Sequence, residues 1–595
     1  MLILESLAAN AVLVVVALVL GEAVLRAAER VAGAESSGPS LIRVGAALLA
    51  GFGACAYVGI VLAAVHLFRW QAFVVTAVVI VATGRRTVSA YARSVRLPRR
   101  DVVVLLASAA AVVVAAAQWL AALAPPEASD ELAYHLPEAH TLADGHVLHL
   151  ALGTDRIYGN LPTLVETLYG EALTIRGTAL AHLVHLSILL AFVLLAAGVV
   201  RALWGARAAA LATLGILLYS DLLYDATTAY VDAAEASFEA GAALLFVLWT
   251  VRGDLAQAAA AALLLGLALS VKYNALAAAG MAAVLVVVVR PRVAVRLGAI
   301  AFVACGYWYV KNLVRFGNPV YPFYLGHPGV SDATYRYFIR NIHAFGPRTV
   351  GAFVEVPTRF ASDANATAFL GFALAPLAPF ARGPRRAAVL LIAYVLAYAT
   401  YWFWFATHQT RFLYAAVVIA IVLAAAAVGA ARGRRYLAVA VALALVLAAG
   451  AQHKTSGFNL HLRAAVDGWL DTPKVRYTVG LESRQSYLHR YFGCQVDAVD
   501  ELAARHLRGA VALWDLSPNP EYPRANRLEP IKVTAATPAG VRAQLRARDI
   551  RFAFAQGMPV GELSSNPAAR PVLAAARPFW RRGDCTLYRL RLSGP

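Results

Sequence analysis

The residues whose types and spacing could do chemistry gather first in Ser129-Asp130-Glu131-Leu132-Ala133-Tyr134-His135-Leu136-Pro137, directly after an apolar run. Two adjacent carboxylates, a phenol and an imidazole stand where a helix would leave a bilayer. Ionisable groups at that edge are costly, so a cluster there is a functional-site hypothesis by default. A carboxylate in such a place can take a proton from an attacking hydroxyl or amine. Its neighbour can tune it, because two adjacent carboxylates push their pKa values apart. The loop from Pro125 to Thr178 is too long for a plain connector, and it adds His140, His146, His149, Tyr158, Asn160 and Glu166. Asp130 to Leu142 and Leu161 to Ile175 show helical periodicity with leucines on one side, and Asn160 and Pro162 fit the start of the second helix. Helices of this kind can lie in the interface plane. The plainer reading is a polar cap that holds spans together.

Metal and nucleotide chemistry find less support. His135, His140, His146 and His149 are close in sequence, but they include no i, i+4 pair with an obvious third ligand. Zinc is therefore the minor reading, no cofactor is specified, and a divalent metal stays open. The chain has no Walker loop, no GxGxxG after a strand and no GxSxG elbow, which argues against nucleotide-driven pumps and hydrolases of those types.

The elements that must position these groups are membrane spans. Of 595 residues, 60% are hydrophobic and 15% charged, and the mean hydropathy is +0.64, outside the range of soluble globular chains. Apolar runs lie at about 4 to 25, 41 to 65, 70 to 83, 101 to 123, 179 to 200, 206 to 220 and 228 to 250. Others follow at about 255 to 271, 275 to 289, 294 to 313, 364 to 381, 387 to 405, 410 to 429 and 436 to 451. This predicts an α-helical polytopic membrane protein with about fourteen transmembrane helices.

The net charge of +19 sits largely in short loops, a positive-inside pattern that excludes a nucleic-acid partner as the explanation. Arg85 to Arg100, Arg201 and Arg207, Arg252, Arg290 to Arg296, Arg382 to Arg386 and Arg432 to Arg435 fall on alternate loops. The loop at about 124 to 178, the segment Asp221 to Thr228, Lys272-Tyr273-Asn274, the loop at about 314 to 363 and His408-Gln409-Thr410-Arg411 then share the external face. Arg411 breaks the inside preference of arginine, whereas Lys272 at a helix end could simply snorkel.

The region 452–595 has ordinary polarity. Asp500 to Leu507 and Ala539 to Ala547 read as helices; Ala510 to Trp514, Ile550 to Ala555 and Thr586 to Leu592 read as strands. A small α/β extracytoplasmic domain is the expectation. Cys494 and Cys585 could form a disulfide there or remain two buried thiols, with the bridge favoured. Cys55 and Cys305 lie in apolar runs as packing residues.

Several motifs together resemble the GT-C superfamily of polyprenyl-phosphate-dependent glycosyltransferases, in the branch of the protein O-mannosyltransferases and the lipid A aminoarabinose transferase. They are Asp130-Glu131-Leu132-Ala133-Tyr134-His135-Leu136, Tyr158-Gly159-Asn160-Leu161-Pro162-Thr163-Leu164-Val165-Glu166 and Ala229-Tyr230-Val231-Asp232. With them go Ser270-Val271-Lys272-Tyr273-Asn274, Lys311-Asn312, Gly317-Asn318-Pro319-Val320-Tyr321-Pro322 and His408-Gln409-Thr410-Arg411-Phe412-Leu413. The resemblance covers about 101 to 451, with three additional spans in 1–100 and the α/β domain in 452–595.

The resemblance implies a multi-pass plasma (inner) membrane enzyme of the cell envelope, with its site outside the cytoplasm. Its donor would be a sugar on a polyprenyl phosphate and its acceptor an unidentified envelope glycan, lipid or protein. It assigns Asp130 as general base, with Glu131 in support. Lys272, Arg315, His408 and Arg411 are candidate partners of the leaving phosphate. Tyr134, His135, Tyr158, Glu166, Tyr273 and Asp232 are candidate substrate contacts; for Asp232 a helix-packing hydrogen bond is the alternative. Two rival readings are a transporter or flippase of lipid-linked sugars, which would bury titratable groups at mid-span, and an envelope scaffold.

Overall fold

The computed structural model describes residues 2–35, 38–94, 101–146, 157–330, 332–343, 346–360, 365–433, 467–507, 510–513, 528–530, 535–562 and 566–592. His149, Trp514 and the expected span at 436 to 451 lie outside them. The chain forms two compact units: Met1–Leu123 with Glu138–Thr472, and Ala124–Pro137 with Pro473–Pro595.

The first unit is helical: α1 (Leu2–Ala32), α2 (Leu41–Ala64), α3 (Trp70–Ser94), α4 (Val102–Ala121), α5 (Leu136–Gly145), α6 (Leu164–Ile175), α7 (Thr178–Trp204), α8 (Ala206–Leu217) and α9 (Ser220–Ala226). It continues with α10 (Asp232–Arg252), α11 (Leu255–Leu269), α12 (Ala275–Val289), α13 (Ala294–Phe316), α14 (Asp332–His343), α15 (Val350–Val354), α16 (Ala366–Leu374), α17 (Arg385–Phe405) and α18 (Tyr414–Gly429). Among the described residues nine helices are long and apolar enough to cross a membrane, α8 and α9 are so only when taken together across a 67° bend, and α11, α12 and Ala366–Phe380 are shorter apolar helices. Every apolar run expected before residue 430 has its helix.

Small residues decide how the first helices pack. A Cβ on Gly21 would overlap the Ala47 carbonyl, and one on Gly51 the Ala17 carbonyl, so α1 and α2 touch backbone to backbone as small-residue crossings allow. Next to the Gly21–Ala47 approach, Arg43 donates to Glu22 at 2.9 Å and to both oxygens of Glu29. Tyr91 of α3 donates to the same Glu22 at 2.6 Å. α2 packs in turn on α7 and α6, which ties α1–α3 into the bundle.

The second unit holds α19 (Thr472–Thr478), α20 (Arg484–Phe492), α21 (Gln495–Ala504), β1 (Ala510–Leu513), β2 (Leu528–Pro530), α22 (Pro538–Ala547), β3 (Ile550–Gln556), α23 (Arg570–Ala574), β4 (Arg577–Arg582) and β5 (Cys585–Arg589). Its sheet runs β2-β1-β3-β5-β4, parallel from β2 to β3 and antiparallel from β3 to β4. Strand alternation divides the core. Ala553 and Ala555 pack with Val541, Leu545 and Leu573, while Phe552 and Phe554 pack with Leu502, Cys585 and Leu587. Cys494 and Cys585 are bridged, with Cα atoms 5.9 Å apart; Cys55 and Cys305 are buried free thiols. The helix expected over Asp500 to Leu507 begins earlier, at Gln495, and β2 and β4 were not anticipated. β4 reads Arg-Pro-Phe-Trp-Arg-Arg, an edge strand without polar/apolar alternation.

Ala124–Pro137 belongs to this second unit. Tyr487 donates to the Pro125 carbonyl at 3.4 Å, and Lys474 pairs with Glu127 at 3.4 Å with both side chains buried.

Candidate functional site

In the second unit Asp130 precedes a π-helical turn, Glu131–His135, that runs into α5. Such turns are rare and concentrate at functional sites. Asp130 is half-buried and accepts from the Tyr134 hydroxyl at 3.2 Å. Glu131 is fully buried and accepts from the Ala128 backbone N–H at 3.1 Å, the reach-back of a capping box. The paired carboxylates thus differ in environment: Asp130 is reachable, and Glu131 holds the start of its own helix. His135 is buried, its ring 4.1 Å from that of Tyr134.

In the first unit the site is built on the N-terminus of α10. The first N–H groups of a helix lack intrahelical partners, and here two other helices supply them. Ala233 N–H donates to Asp225 Oδ1 at 2.8 Å, and Ala234 N–H donates to His185 Nε2 at 3.1 Å. Because Nε2 accepts, the network assigns the imidazole proton to Nδ1, which donates to the Thr228 carbonyl at 2.9 Å. Asp232 is the first residue of the helix so fixed, where the helix dipole favours an anion.

Lys272, from the turn between α11 and α12, donates to Asp232 Oδ1 at 2.5 Å. Arg411, from the turn before α18, places Nη1 3.9 Å from Oδ2 and donates from Nε to Gln409 at 2.8 Å. Phe412 lies between the cations, its ring centroid 4.7 Å from Lys272 Nζ and 5.2 Å from the Arg411 guanidinium carbon; Tyr230 carries the same guanidinium at 5.2 Å. The Asp232 side chain is 0% exposed, while those of Lys272 and Arg411 are 17% and 18% exposed. One buried carboxylate therefore orients two cations whose outer faces stay accessible, an arrangement suited to an anionic ligand.

Other motifs meet beside it. Asn312 of α13 donates to the Asn160 carbonyl at 2.9 Å and to the Tyr273 hydroxyl at 3.0 Å, and Leu164 N–H donates to the Ser270 carbonyl at 3.1 Å. The segments around Tyr158 to Glu166, Lys272-Tyr273 and Lys311-Asn312 are thus stitched together. Burial pushes the Tyr273 phenol above its ordinary value, so it stays protonated at neutral pH. Tyr158 stacks edge-on against Phe338 at 5.9 Å, and Glu166 is buried in α6.

Two expected phosphate partners are placed differently from Lys272 and Arg411. His408 is buried and stacked on Phe403 at 4.5 Å, with Nε2 at 2.7 Å from the Phe403 carbonyl; its ring serves the local turn. Arg315 lies over the Phe316 ring at 5.4 Å, at the end of α13. Among the described residues, the one group with three potential metal-ligand atoms in mutual reach is Cys494, Asp584 and Cys585, and the disulfide occupies both of its sulfurs.

The sequence reading missed Asp225 and His185, which cap α10 from eight and 49 positions away in the chain. It also placed the charges at helix ends and overlooked Glu235 and Glu239, which follow Asp232 along one face inside α10, 3% and 2% exposed. Tyr398 of α17 donates to Glu239 at 2.9 Å. A spacing of i, i+3 and i+7 was the signal available.

No protein-family model and no curated sequence matches the chain. Among solved structures, the aminoarabinose transferase ArnT from Cupriavidus metallidurans bound to undecaprenyl phosphate superposes with a TM-score of 0.51 at 17% identity, over 83% of this chain and 99% of that one. The fold is GT-C. The apo form of the same transferase gives a TM-score of 0.48 at 16% identity over the same shares. An Archaeoglobus fulgidus oligosaccharyltransferase gives 0.40 at 13% identity, over 76% of this chain and 69% of its own. At 17% identity the likeness to the undecaprenyl-phosphate-bound transferase is one of fold.

Proposed function

We propose that the protein transfers a sugar from a polyprenyl-phosphate donor to an acceptor hydroxyl or amine outside the cytoplasm. The observation that carries the reading is the pair of part-exposed cations, Lys272 and Arg411, seated on one buried carboxylate within a GT-C fold. The similar fold of ArnT, in a structure bound to undecaprenyl phosphate, supports a lipid phosphate as the anion. In the reaction the acceptor attacks the anomeric carbon and its proton passes to a general base, the role that the sequence resemblance gives to Asp130. The sugar–phosphate bond breaks, and its electron pair leaves with the lipid phosphate, whose new charge Lys272 and Arg411 stabilise. The basic loops on alternate connections support placing the site outside the cytoplasm.

Purified protein in liposomes, given a panel of polyprenyl-phosphate sugars and read by donor consumption, tests the class. Asp130→Asn should lower turnover by about 10²–10⁴-fold, the range for a general base, with donor binding and the unfolding temperature unchanged. Near-normal turnover in that variant would remove Asp130 from the role.

Two observations favour the flippase reading: Glu235 and Glu239 are titratable groups buried inside a span, and α8 and α9 meet at a 67° break. Movement of the donor across the liposome bilayer without its consumption would establish that reading and overturn the transferase.

A further inference from the structure

Asp232 is one carboxylate shared by two cations, so Lys272 and Arg411 meet each other's repulsion as well as its attraction. Both also reach a single ring. The Phe412 centroid lies 4.7 Å from Lys272 Nζ and 5.2 Å from the Arg411 guanidinium carbon. The turn that carries Phe412 is itself fixed. Phe412 N–H donates to the Gln409 carbonyl at 3.2 Å, the same carbonyl accepts the Trp402 indole N–H at 2.9 Å, and the next residue, Leu413, is fully buried. Lys272 arrives from a different turn, between α11 and α12. The ring is therefore an anchored element against which a flexible ammonium and a guanidinium both settle.

We infer that Phe412 is a positioning residue whose π face holds Lys272 and Arg411 in place without neutralising them, and that the site's affinity for a lipid phosphate depends on this. The inference rests on the donor reading proposed above and deepens it. A second carboxylate in place of the ring would complete the ion pairs and leave little attraction for a ligand. An aliphatic side chain would take the cations out of water and offer nothing in exchange. An aromatic face does neither, because its quadrupole attracts a cation and carries no net charge. The cluster thus keeps one more positive than negative charge among Asp232, Lys272 and Arg411, with the two cations 17% and 18% exposed toward an incoming anion.

The test titrates the purified full-length protein with undecaprenyl phosphate while the Phe412 ring carries an increasing number of fluorines, introduced as fluorinated phenylalanine at that position alone. Fluorine draws electron density from the π face and leaves the shape of the side chain nearly unchanged, so packing is held constant while the attraction for cations fades. The dissociation constant should rise stepwise, about twofold for each fluorine, with the unfolding temperature unchanged. Phe412→Leu, which removes the ring, should raise it about tenfold. A residue that only packs would respond to Phe412→Leu and ignore the fluorines. A dissociation constant that stays flat across the fluorine series, in protein that binds the lipid, overturns the role of the ring and leaves the lipid-phosphate reading standing. Failure of the unfluorinated protein to bind undecaprenyl phosphate saturably overturns both.

Discussion

Around Arg43 and around Asp232 the membrane unit buries two ionic clusters of opposite design. In the first, Glu22 and Glu29 converge on the Arg43 guanidinium, and Tyr91 and Arg26 add hydrogen bonds to Glu22; none of these five side chains has a buried atom lacking a partner. In the second, Lys272 and Arg411 pair with Asp232 while Asp225, Glu235 and Glu239 are buried in or beside its helix, and Asp225 Oδ2, Glu235 Oε1 and Glu239 Oε1 are left without hydrogen bonds. A saturated network fixes how helices pack. Unsaturated buried carboxylates cost stability, and a fold retains them where a ligand, a proton or a reaction needs them. The first cluster is built as structure, and the second is the one to which the proposed chemistry is assigned.

The largest expected effect breaks the first cluster. Arg43→Met strands two buried carboxylates and should cost about 3–5 kcal/mol, read as a fall in the thermal unfolding temperature in detergent. Adding Glu22→Leu and Glu29→Leu should recover most of the loss, since an apolar replacement of a whole buried ion network is often neutral. An unchanged unfolding temperature in the single variant would end the contrast.

Next, Lys272→Met should leave Asp232 paired with Arg411 and move stability less than Arg43→Met does. Donor consumption should nevertheless fall by about 10²-fold, the scale for losing one group that stabilises developing charge. A variant with normal turnover but low stability would reassign Lys272 to packing. The smallest effect belongs to Tyr398→Phe, which removes the donation to Glu239. About 1 kcal/mol of stability, with donor KM unchanged, would place Glu239 outside the donor site, whereas a changed KM would bring the column inside α10 into it.

Hydropathy made the spans legible because a helix in lipid must be apolar over its length, and the spanning runs between residues 4 and 429 follow from that alone, whereas α14 and α15 lie in a stretch read as a loop. The same averaging hid Glu235 and Glu239 inside a run read as one apolar span. Asp130, Asp232, Lys272 and Arg411 were visible as charges in expensive places. Their partners were not, because the bonds that define them, His185 to Ala234 and Tyr398 to Glu239, join residues 49 and 159 apart in the chain. His408 shows the complementary limit. Its position beside Arg411 says nothing of where the ring turns, and packing against Phe403 decided it. In the second unit, alternation revealed the core strands β3 and β5, while the arginine-rich edge strand β4 follows no such rule.

The clamp formed by Glu127 with Lys474 and by Tyr487 with the Pro125 carbonyl bears on how this protein can be recombined. Residues 124–137 are separated from 473–595 by more than three hundred positions of sequence, yet they are one heritable module. A chimera that exchanges the C-terminal region alone would set a foreign surface against Asp130's own segment, whereas one that exchanges both pieces together would carry the segment and its support intact.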